Sequence, residues 1–204
     1  MSEARALEEY YTYGDYRMWD DDLRWELIDG EPFCMSPGPG ETHQSLLVAL
    51  SSELRVYFKG KECRVYVAPF DVMLPRGGEL EDEIDTVVQP DIMIVCDQSK
   101  IQRNGIKGAP DVVLEILSPS TAWRDLTDKL YLYERAGVRE YVIADPDNMI
   151  VTVYRRGRDE LFSRRAVYRT SDVLEFETFP ELKIPLASVF EEFHFSPLNV
   201  PDES

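Results

Sequence analysis

The feature that most limits how this chain can fold is a series of three short apolar segments, residues 90–96, 111–117 and 139–144. Each has the length of a strand and is rich in the residues that favour strands buried on both faces. Between the second and the third, the hydroxyl-rich stretch 118–121 can cap a helix over about residues 122–136, which Gly137 ends. Strands interleaved with helices predict a mixed sheet, so the fold class is α/β or α+β.

The remaining elements lie on either side of these segments. Asp29-Gly30 between two partly apolar runs predicts a hairpin over residues 25–35. Leucines at helical spacing before Gly60 predict a helix over about residues 41–59. The other expected elements are a strand at 64–68 that runs on towards 70–74, a hairpin of 150–155 with 161–168, short strands near 174–177 and 182–184, and a last helical turn at 186–193.

The length of 204 residues is typical of one domain. We expect a single domain over 1–204, made of an N-terminal extension and hairpin (1–40), a core (41–146), and C-terminal strands with a short helix (147–204). This arrangement amounts to a central mixed β-sheet flanked by helices, with an N-terminal β-hairpin and a C-terminal β-hairpin extension.

The net charge of −17 disfavours passive binding to anionic membranes or to bulk nucleic acid. The acidity is concentrated at the two ends, because residues 1–41 carry −8 and residues 171–204 carry −7. Residues 148–170 carry +4 and contain six arginines. A nucleic-acid enzyme with a local basic face is therefore compatible with the composition.

The cysteines give no sign of a metal cluster. Cys34, Cys63 and Cys96 are far apart and odd in number, which predicts neither a zinc site nor a disulfide framework. No apolar run has membrane-spanning length, and the N-terminal residues lack the basic start and apolar stretch of a signal peptide. We therefore expect a soluble cytoplasmic protein from a reducing compartment, with no membrane partner.

Two carboxylates interrupt the apolar segments. Glu115 lies inside one of them and Asp91 opens another directly after Pro90. A carboxylate in a buried strand is costly unless it is paired, protonated or metal-bound, so the alternatives are a catalytic site, a structural salt bridge or a strand end facing water. Asp125 and Lys129 share one face of the following helix, and Lys129 could point back towards Glu115. Two carboxylates and a lysine suit a Mg²⁺ site that acts on phosphoryl groups.

These segments resemble the Uma-two family of restriction endonucleases, a former domain of unknown function assigned to the PD-(D/E)XK nuclease superfamily. The similarity covers most of residues 25–193, and two of its motifs are Val88-Gln89-Pro90-Asp91-Ile92 and Asp125-Leu126-Thr127-Asp128-Lys129. The other matching segments are residues 25–31, 43–44, 67–72, 109–121, 133, 136–141 and 145–146. The resemblance implies a restriction-endonuclease-like core.

The resemblance also implies roles for individual residues. Asp91 matches the family's PD aspartate, and Glu115 matches its (D/E) position. The superfamily lysine two residues later is Leu117 here, and Lys129 matches the family's helical lysine. The implied metal ligands are Asp91, Glu115 and the backbone carbonyl of Ile116, with Mg²⁺ or Mn²⁺ as the cofactor. Asp125 would position Lys129 or add a ligand.

An acidic residue on the first core helix would complete such a site. The candidates are Glu41, Glu53 and, in the preceding hairpin, Glu31. His43 and Gln44 match the family better, and His43 could lie behind the metal ligands or face a phosphate. A histidine near a helix start is also a common capping or surface residue.

The leading hypothesis is a Mg²⁺-dependent endonuclease that hydrolyses the phosphodiester bonds of DNA, working as a homodimer whose two-fold symmetry matches the duplex. The alternative is a catalytically weak or inactive nuclease-fold module that binds nucleic acid or a partner protein. Leu117 and the missing helix carboxylate favour that alternative. A third possibility is a structural homodimer without a site, in which Asp91 and Glu115 face solvent or pair only with basic side chains.

Overall fold

The computed structural model describes residues 10–35, 38–119 and 121–191. Its helices are α1 (Tyr13–Tyr16), α2 (Glu41–Phe58), α3 (Ala122–Leu126), α4 (Asp128–Ala136) and α5 (Leu186–Phe190). Its strands are β1 (Trp25–Ile28), β2 (Glu31–Cys34), β3 (Arg64–Val67), β4 (Asp71–Met73), β5 (Val87–Val88), β6 (Ile92–Val95), β7 (Gly105–Lys107), β8 (Val112–Ile116), β9 (Glu140–Asp145), β10 (Ile150–Arg155), β11 (Arg164–Arg169), β12 (Val173–Glu175) and β13 (Lys183–Pro185).

The central sheet has the order β11-β10-β9-β8-β6-β3 among the described strands. Only β8 and β9 pair in parallel in this sheet, and α3 and α4 form the crossover that a parallel pair requires. The other neighbours in this sheet are antiparallel, so the sheet is mixed. The expected α/β fold, with a mixed sheet flanked by helices, is confirmed.

Helices cover both faces of this sheet because the strand residues alternate between two apolar clusters. Ile92, Ile94 and Leu114 pack with the leucine stripe of α2. Met93 and Val113 pack with Tyr133 of α4 on the opposite face. By the same alternation, Glu115 projects towards α4.

The N-terminal hairpin belongs to a second sheet, with the order β2-β1-β5-β4-β7. Asp29 and Gly30 have φ values of 53° and 81°, as a tight turn of this kind requires, and the predicted hairpin is present. The expected run of one strand from residues 64–68 towards 70–74 is wrong, because β3 pairs in the central sheet and β4 pairs in the second.

The helix expected over residues 122–136 is divided at Thr127, whose φ and ψ are −125° and −82°. The hydroxyl of Tyr141 donates to the backbone carbonyl of Asp125 at 2.9 Å, and Thr127 donates to the carbonyl of Trp123. These side chains take carbonyls that a continuous helix would use for its own amides. The predicted single helix is therefore two helices, the short α3 and the longer α4.

The C-terminal strands extend the central sheet through β10 and β11, and β12 pairs with β13 separately. Arg155 and Arg164 are register partners, and they lie at the edge of the central sheet where β8 begins. Glu115 lies near the opposite edge, where β8 ends. Arg155 pairs with Glu140 and Arg164 with Glu177. Of the helical turn expected at residues 186–193, residues 192–193 lie outside the described residues, as do the chain ends of the expected domain.

The expectation that the cysteines form no disulfide framework did not include a single bond, and the structure has one. Cys63 and Cys96 form a disulfide, and they flank Arg64 and Val95, which are register partners in β3 and β6. Their separation of 33 residues in sequence hides this proximity, which arises only from the strand pairing. Cys34 is free and exposed. None of the helices in the described part of the chain is long and apolar enough to cross a membrane.

Candidate active site

Glu115 is the centre of a buried polar cluster between the central sheet and α4. Its side chain is 4% exposed, and Oε1 accepts a hydrogen bond from Nζ of Lys129 at 2.9 Å. The hydroxyl of Tyr133, one turn further along α4, donates to the same oxygen at 2.8 Å. Glu115 is therefore bonded to α4 at two points.

Lys129 collects three carboxylates around one ammonium. Its Nζ lies 2.9 Å from Glu115, 2.9 Å from Oε1 of Glu26 and 3.6 Å from Asp125. Its side chain is only 3% exposed. A buried ammonium is tolerated only when opposite charges surround it, and here the second sheet, the central sheet and α3 each supply one.

Glu26 is a member of the cluster that the sequence analysis did not identify. It is fully buried on β1, and Oε1 also accepts the backbone N–H of Gln89 at 2.9 Å. Its Oε2 atom is buried without a hydrogen-bond partner in the described part of the chain. The sequence did contain a signal for it, a carboxylate inside the partly apolar run Trp25-Glu26-Leu27-Ile28. The same kind of pattern identified Glu115 as a candidate.

Asp91 lies beside Glu115 at the start of β6, and its side chain is 18% exposed. The Oδ2 atom of Asp91 accepts the backbone N–H of Ile116 at 2.8 Å. In return, Oε2 of Glu115 accepts the backbone N–H of Asp91 at 3.2 Å. Each carboxylate is thus held by the strand that carries the other, and the pairing of β6 with β8 sets their separation.

His43 reaches the cluster from the first turn of α2. Its Nε2 atom lies 3.1 Å from Oδ2 of Asp91, and its Nδ1 atom is buried without a partner among the described residues. The helical phase places His43 with Leu46 and Leu50 on the face of α2 turned to the sheet. The other candidate residues, Glu31, Glu41, Gln44 and Glu53, are exposed and do not line the site.

The cluster opens into a cavity of about 330 Å³. Its polar lining residues are Arg24, Glu26, His43, Asp91, Glu115, Ser118, Thr121, Arg124, Asp125 and Lys129, together with Ile116. All five side chains proposed from the sequence as site residues, Asp91, Glu115, Lys129, Asp125 and His43, therefore lie at one cavity. Their catalytic roles stay predictions.

Burial and crowding shift the acid–base properties of the cluster. Burial raises the pKa of Glu115 well above its usual range, and the neighbouring carboxylates add to this against the attraction of Lys129. Burial also raises the pKa of Asp125 to about 6. Burial alone would lower the pKa of Lys129, but Glu115, Glu26 and Asp125 raise it well above its ordinary value. The ammonium is therefore charged at neutral pH, and the carboxylates repel one another.

The residues fit a hard divalent cation in their donor chemistry. The described residues contain no group of three or more His, Cys, Asp or Glu side chains placed to hold a metal ion. Mg²⁺ commonly takes one or two carboxylates and completes its shell with carbonyl oxygens and water. Asp91, Glu115 and Ile116, whose backbone supplies a carbonyl, line this cavity, and Oε2 of Glu26 is a further acceptor there that has no partner among the described residues.

The chain is similar to known proteins in both sequence and fold. The sequence model of the Uma2 family, described as "Putative restriction endonuclease", matches residues 7–187. The uncharacterized protein slr1290 of Synechocystis sp. is 22% identical over 148 residues, which cover 71% of this chain and 74% of that protein. The fold is similar, with a TM-score of 0.68 and 20% identity, to the crystal structure of "a putative nuclease belonging to DUF820" from Anabaena variabilis. That match covers 87% of this chain and 95% of the other.

Proposed function

The chain belongs to the Uma2 family, and from that premise we propose that it is a nuclease that hydrolyses DNA phosphodiester bonds with Mg²⁺ or Mn²⁺. The observation that carries this proposal is the 2.9 Å contact between Nζ of Lys129 and Oε1 of Glu115. Through this contact, α4 places a lysine beside the acidic residues. The position after β8 at which the superfamily carries its lysine is Leu117 in this chain.

In this proposal, Asp91, Glu115 and the Ile116 carbonyl hold the cation. Bound there, the ion would polarise a phosphoryl oxygen and acidify a water molecule. Lys129, charged and buried, stabilises the negative charge that develops on the phosphoryl group or orients the attacking water. Burial raises the pKa of Glu115 and its carboxylate neighbours add to this, and a cation bound at this place would relieve that repulsion.

The remaining residues act on these groups. Asp125 and Glu26 hold the ammonium of Lys129 from two sides, which fixes its position and its charge. The Nε2–H group of His43 donates to Oδ2 of Asp91 and limits how that carboxylate can rotate. Such supporting residues determine where ligands point in metal sites.

The test is cleavage of supercoiled and linear DNA by the purified protein with Mg²⁺ or Mn²⁺. We expect nicking or cutting by the wild type, and its loss in Asp91→Asn and Glu115→Gln. Glu53→Gln, which neutralises an exposed carboxylate on α2 outside the site, is the matched control and should cut normally. Wild-type protein that cuts no DNA, or site variants that cut as well as the control, would refute the proposal.

A second candidate is a catalytically weak or inactive nuclease-fold module that binds nucleic acid or a partner protein. Leu117 at the superfamily lysine position favours it, as does the lack of a three-ligand group among the described residues. Calorimetry separates the two candidates. Mg²⁺ or Mn²⁺ binding that disappears in Glu115→Gln supports the nuclease, and wild-type protein without such binding supports the module.

We further propose a homodimer as the working form, because cutting both strands of a duplex suits two sites related by a two-fold axis. Light scattering on the purified protein tests the dimer directly. A monomer at the concentrations that cut both strands would contradict it.

A further inference from the structure

We propose that Arg124 is a phosphate-binding residue of the cavity and contacts the phosphodiester backbone next to the bond that is cut. The inference rests on the proposed nuclease function and extends it to a residue outside the predicted catalytic set. Arg124 lies on α3 and lines the same cavity as Glu115 and Lys129.

The first observation is that the guanidinium has unused donors. The Nε and Nη1 atoms of Arg124 are buried and have no hydrogen-bond partner in the described part of the chain. Leaving buried donors of a charged group unpaired is costly, because water is removed and nothing replaces it. A ligand with oxygen acceptors would recover that cost on entering the cavity.

The second observation concerns how the side chain is held. The Cζ atom of Arg124 lies 4.3 Å from the centre of the Phe33 ring and 5.5 Å from that of Trp123. Contacts with ring faces orient the planar guanidinium without occupying its N–H groups. The aromatic rings therefore position the residue, and they leave its Nε and Nη1 donors unpaired among the described residues.

The third observation is the contrast with the other cations of the cavity. Arg24 gives both Nε and Nη2 to Oε1 of Gln89, at 3.1 and 2.8 Å. Lys129 is enclosed by three carboxylates. Arg124 differs from both, because its Nε and Nη1 atoms have no acceptor among the described residues. A guanidinium binds oxyanions, and the oxyanion that a nuclease admits to this cavity is a phosphate ester.

The experiment measures the binding of a 20-base-pair duplex by fluorescence anisotropy, with Ca²⁺ in place of Mg²⁺ to prevent cutting. The variants are Arg124→Ala, Arg124→Lys and the control Arg139→Ala. Arg139 has a 65% exposed side chain and pairs with Asp111 at the opposite end of β8, so its removal changes the net charge equally. Inorganic phosphate serves as a second, smaller probe.

We expect Arg124→Ala to weaken duplex binding about ten- to a hundredfold and to reduce the slope of log affinity against log salt by about one. Arg124→Lys should recover part of the affinity and the whole slope, because it keeps the charge and loses the fork. A purely packing role for Arg124 would alter the melting temperature and leave the salt slope unchanged. Equal affinities of Arg124→Ala and Arg139→Ala would overturn the inference.

Two further outcomes separate this inference from the nuclease proposal. If duplex binding depends on Arg124 and the wild type never cuts, the phosphate site stands and the nuclease proposal fails. If the wild type cuts and Arg124→Ala binds and cuts as Arg139→Ala does, the nuclease proposal stands and the assignment of Arg124 fails. If Arg124→Ala does not fold, duplex binding by Arg124→Lys and by Phe33→Leu is measured in its place. Duplex affinity equal to that of the wild type in both variants overturns the inference.

Discussion

The ammonium of Lys129 lies 2.9 Å from Oε1 of Glu26, a fully buried carboxylate on the first strand of the N-terminal hairpin. This contact joins the second sheet to α4 across the candidate active site. The hairpin therefore contributes a charged group to the same cluster as Asp91 and Glu115. It also closes one side of the cavity, because Cys34 and Met35 follow from the same hairpin into the lining.

The first prediction concerns Glu26 as a residue that positions Lys129. Glu26→Gln removes one of the three negative charges around the ammonium of Lys129. It should lower the rate of DNA cleavage about tenfold, which is the usual effect of changing a residue that orients the groups of a metal site. Glu31→Gln, an exposed change in the same hairpin, is the control and should have no effect. Steady-state cleavage rates measure both. An unchanged rate in Glu26→Gln would show that Glu115 and Asp125 suffice to hold Lys129.

The sequence predicted much of this site for identifiable reasons. Asp91 and Glu115 were visible because a carboxylate is conspicuous in an apolar strand, and Lys129 followed from its spacing from Asp125. Glu26 was missed because the polar face of a hairpin strand ordinarily meets solvent, and only the packing of the second sheet on α4 buries it. The Cys63–Cys96 bond was missed because it depends on the register of β3 with β6. Contacts between sheets and between distant strands are the properties that local patterns do not carry.

The second prediction is a pH dependence of stability from Asp125. Burial raises its pKa in the folded protein to about 6, above the ordinary value of 3.8. The folded state therefore binds the proton more tightly than the unfolded state, and this group's contribution to stability is present below about pH 4 and lost as pH rises through 6. The free energy of unfolding should fall by about 2 kcal/mol over that range from this group.

Comparison of the wild type with Asp125→Asn isolates that contribution from the other carboxyl groups. Urea unfolding at pH 4, 5, 6 and 7 should give a difference in unfolding free energy between the two proteins that changes steadily across this range. The amide, which does not titrate, should gain stability relative to the wild type as pH rises. A difference that is constant with pH would show that Asp125 is not perturbed.

The third prediction concerns the disulfide between Cys63 and Cys96. The bond closes a loop with a sequence separation of 33, and its loss should lower the free energy of unfolding by about 3–4 kcal/mol through the greater freedom of the unfolded chain. Dithiothreitol should reduce the melting temperature of the wild type and have no effect on Cys63→Ser/Cys96→Ser. Cys34→Ser, which removes the free exposed thiol, should behave as the wild type does. Identical melting curves with and without reductant would contradict the bond.

The last prediction is that divalent cations stabilise the fold through Asp91 and Glu115. Burial first, and the repulsion of Asp91, Asp125 and Glu26 after it, raise the pKa of Glu115, and a cation bound between the two carboxylates would offset the repulsion. A ligand that binds only the folded state at a hundred times its dissociation constant contributes about 2.7 kcal/mol, which corresponds to a rise of roughly 5–10 °C in melting temperature for a chain of this size.

Differential scanning fluorimetry with 0 to about 10 mM MgCl₂ or MnCl₂, a range typical of weakly held cations, measures this rise. Asp91→Asn and Glu115→Gln should melt at temperatures that no longer depend on the metal, whereas Glu53→Gln should respond as the wild type does, because its exposed carboxylate lies outside the site. Because the ion competes with protons for carboxylate oxygens, the rise should shrink as the solution is made more acidic. A metal response that survives in Asp91→Asn and Glu115→Gln would place the cation elsewhere on the acidic surface and separate it from the buried cluster around Lys129.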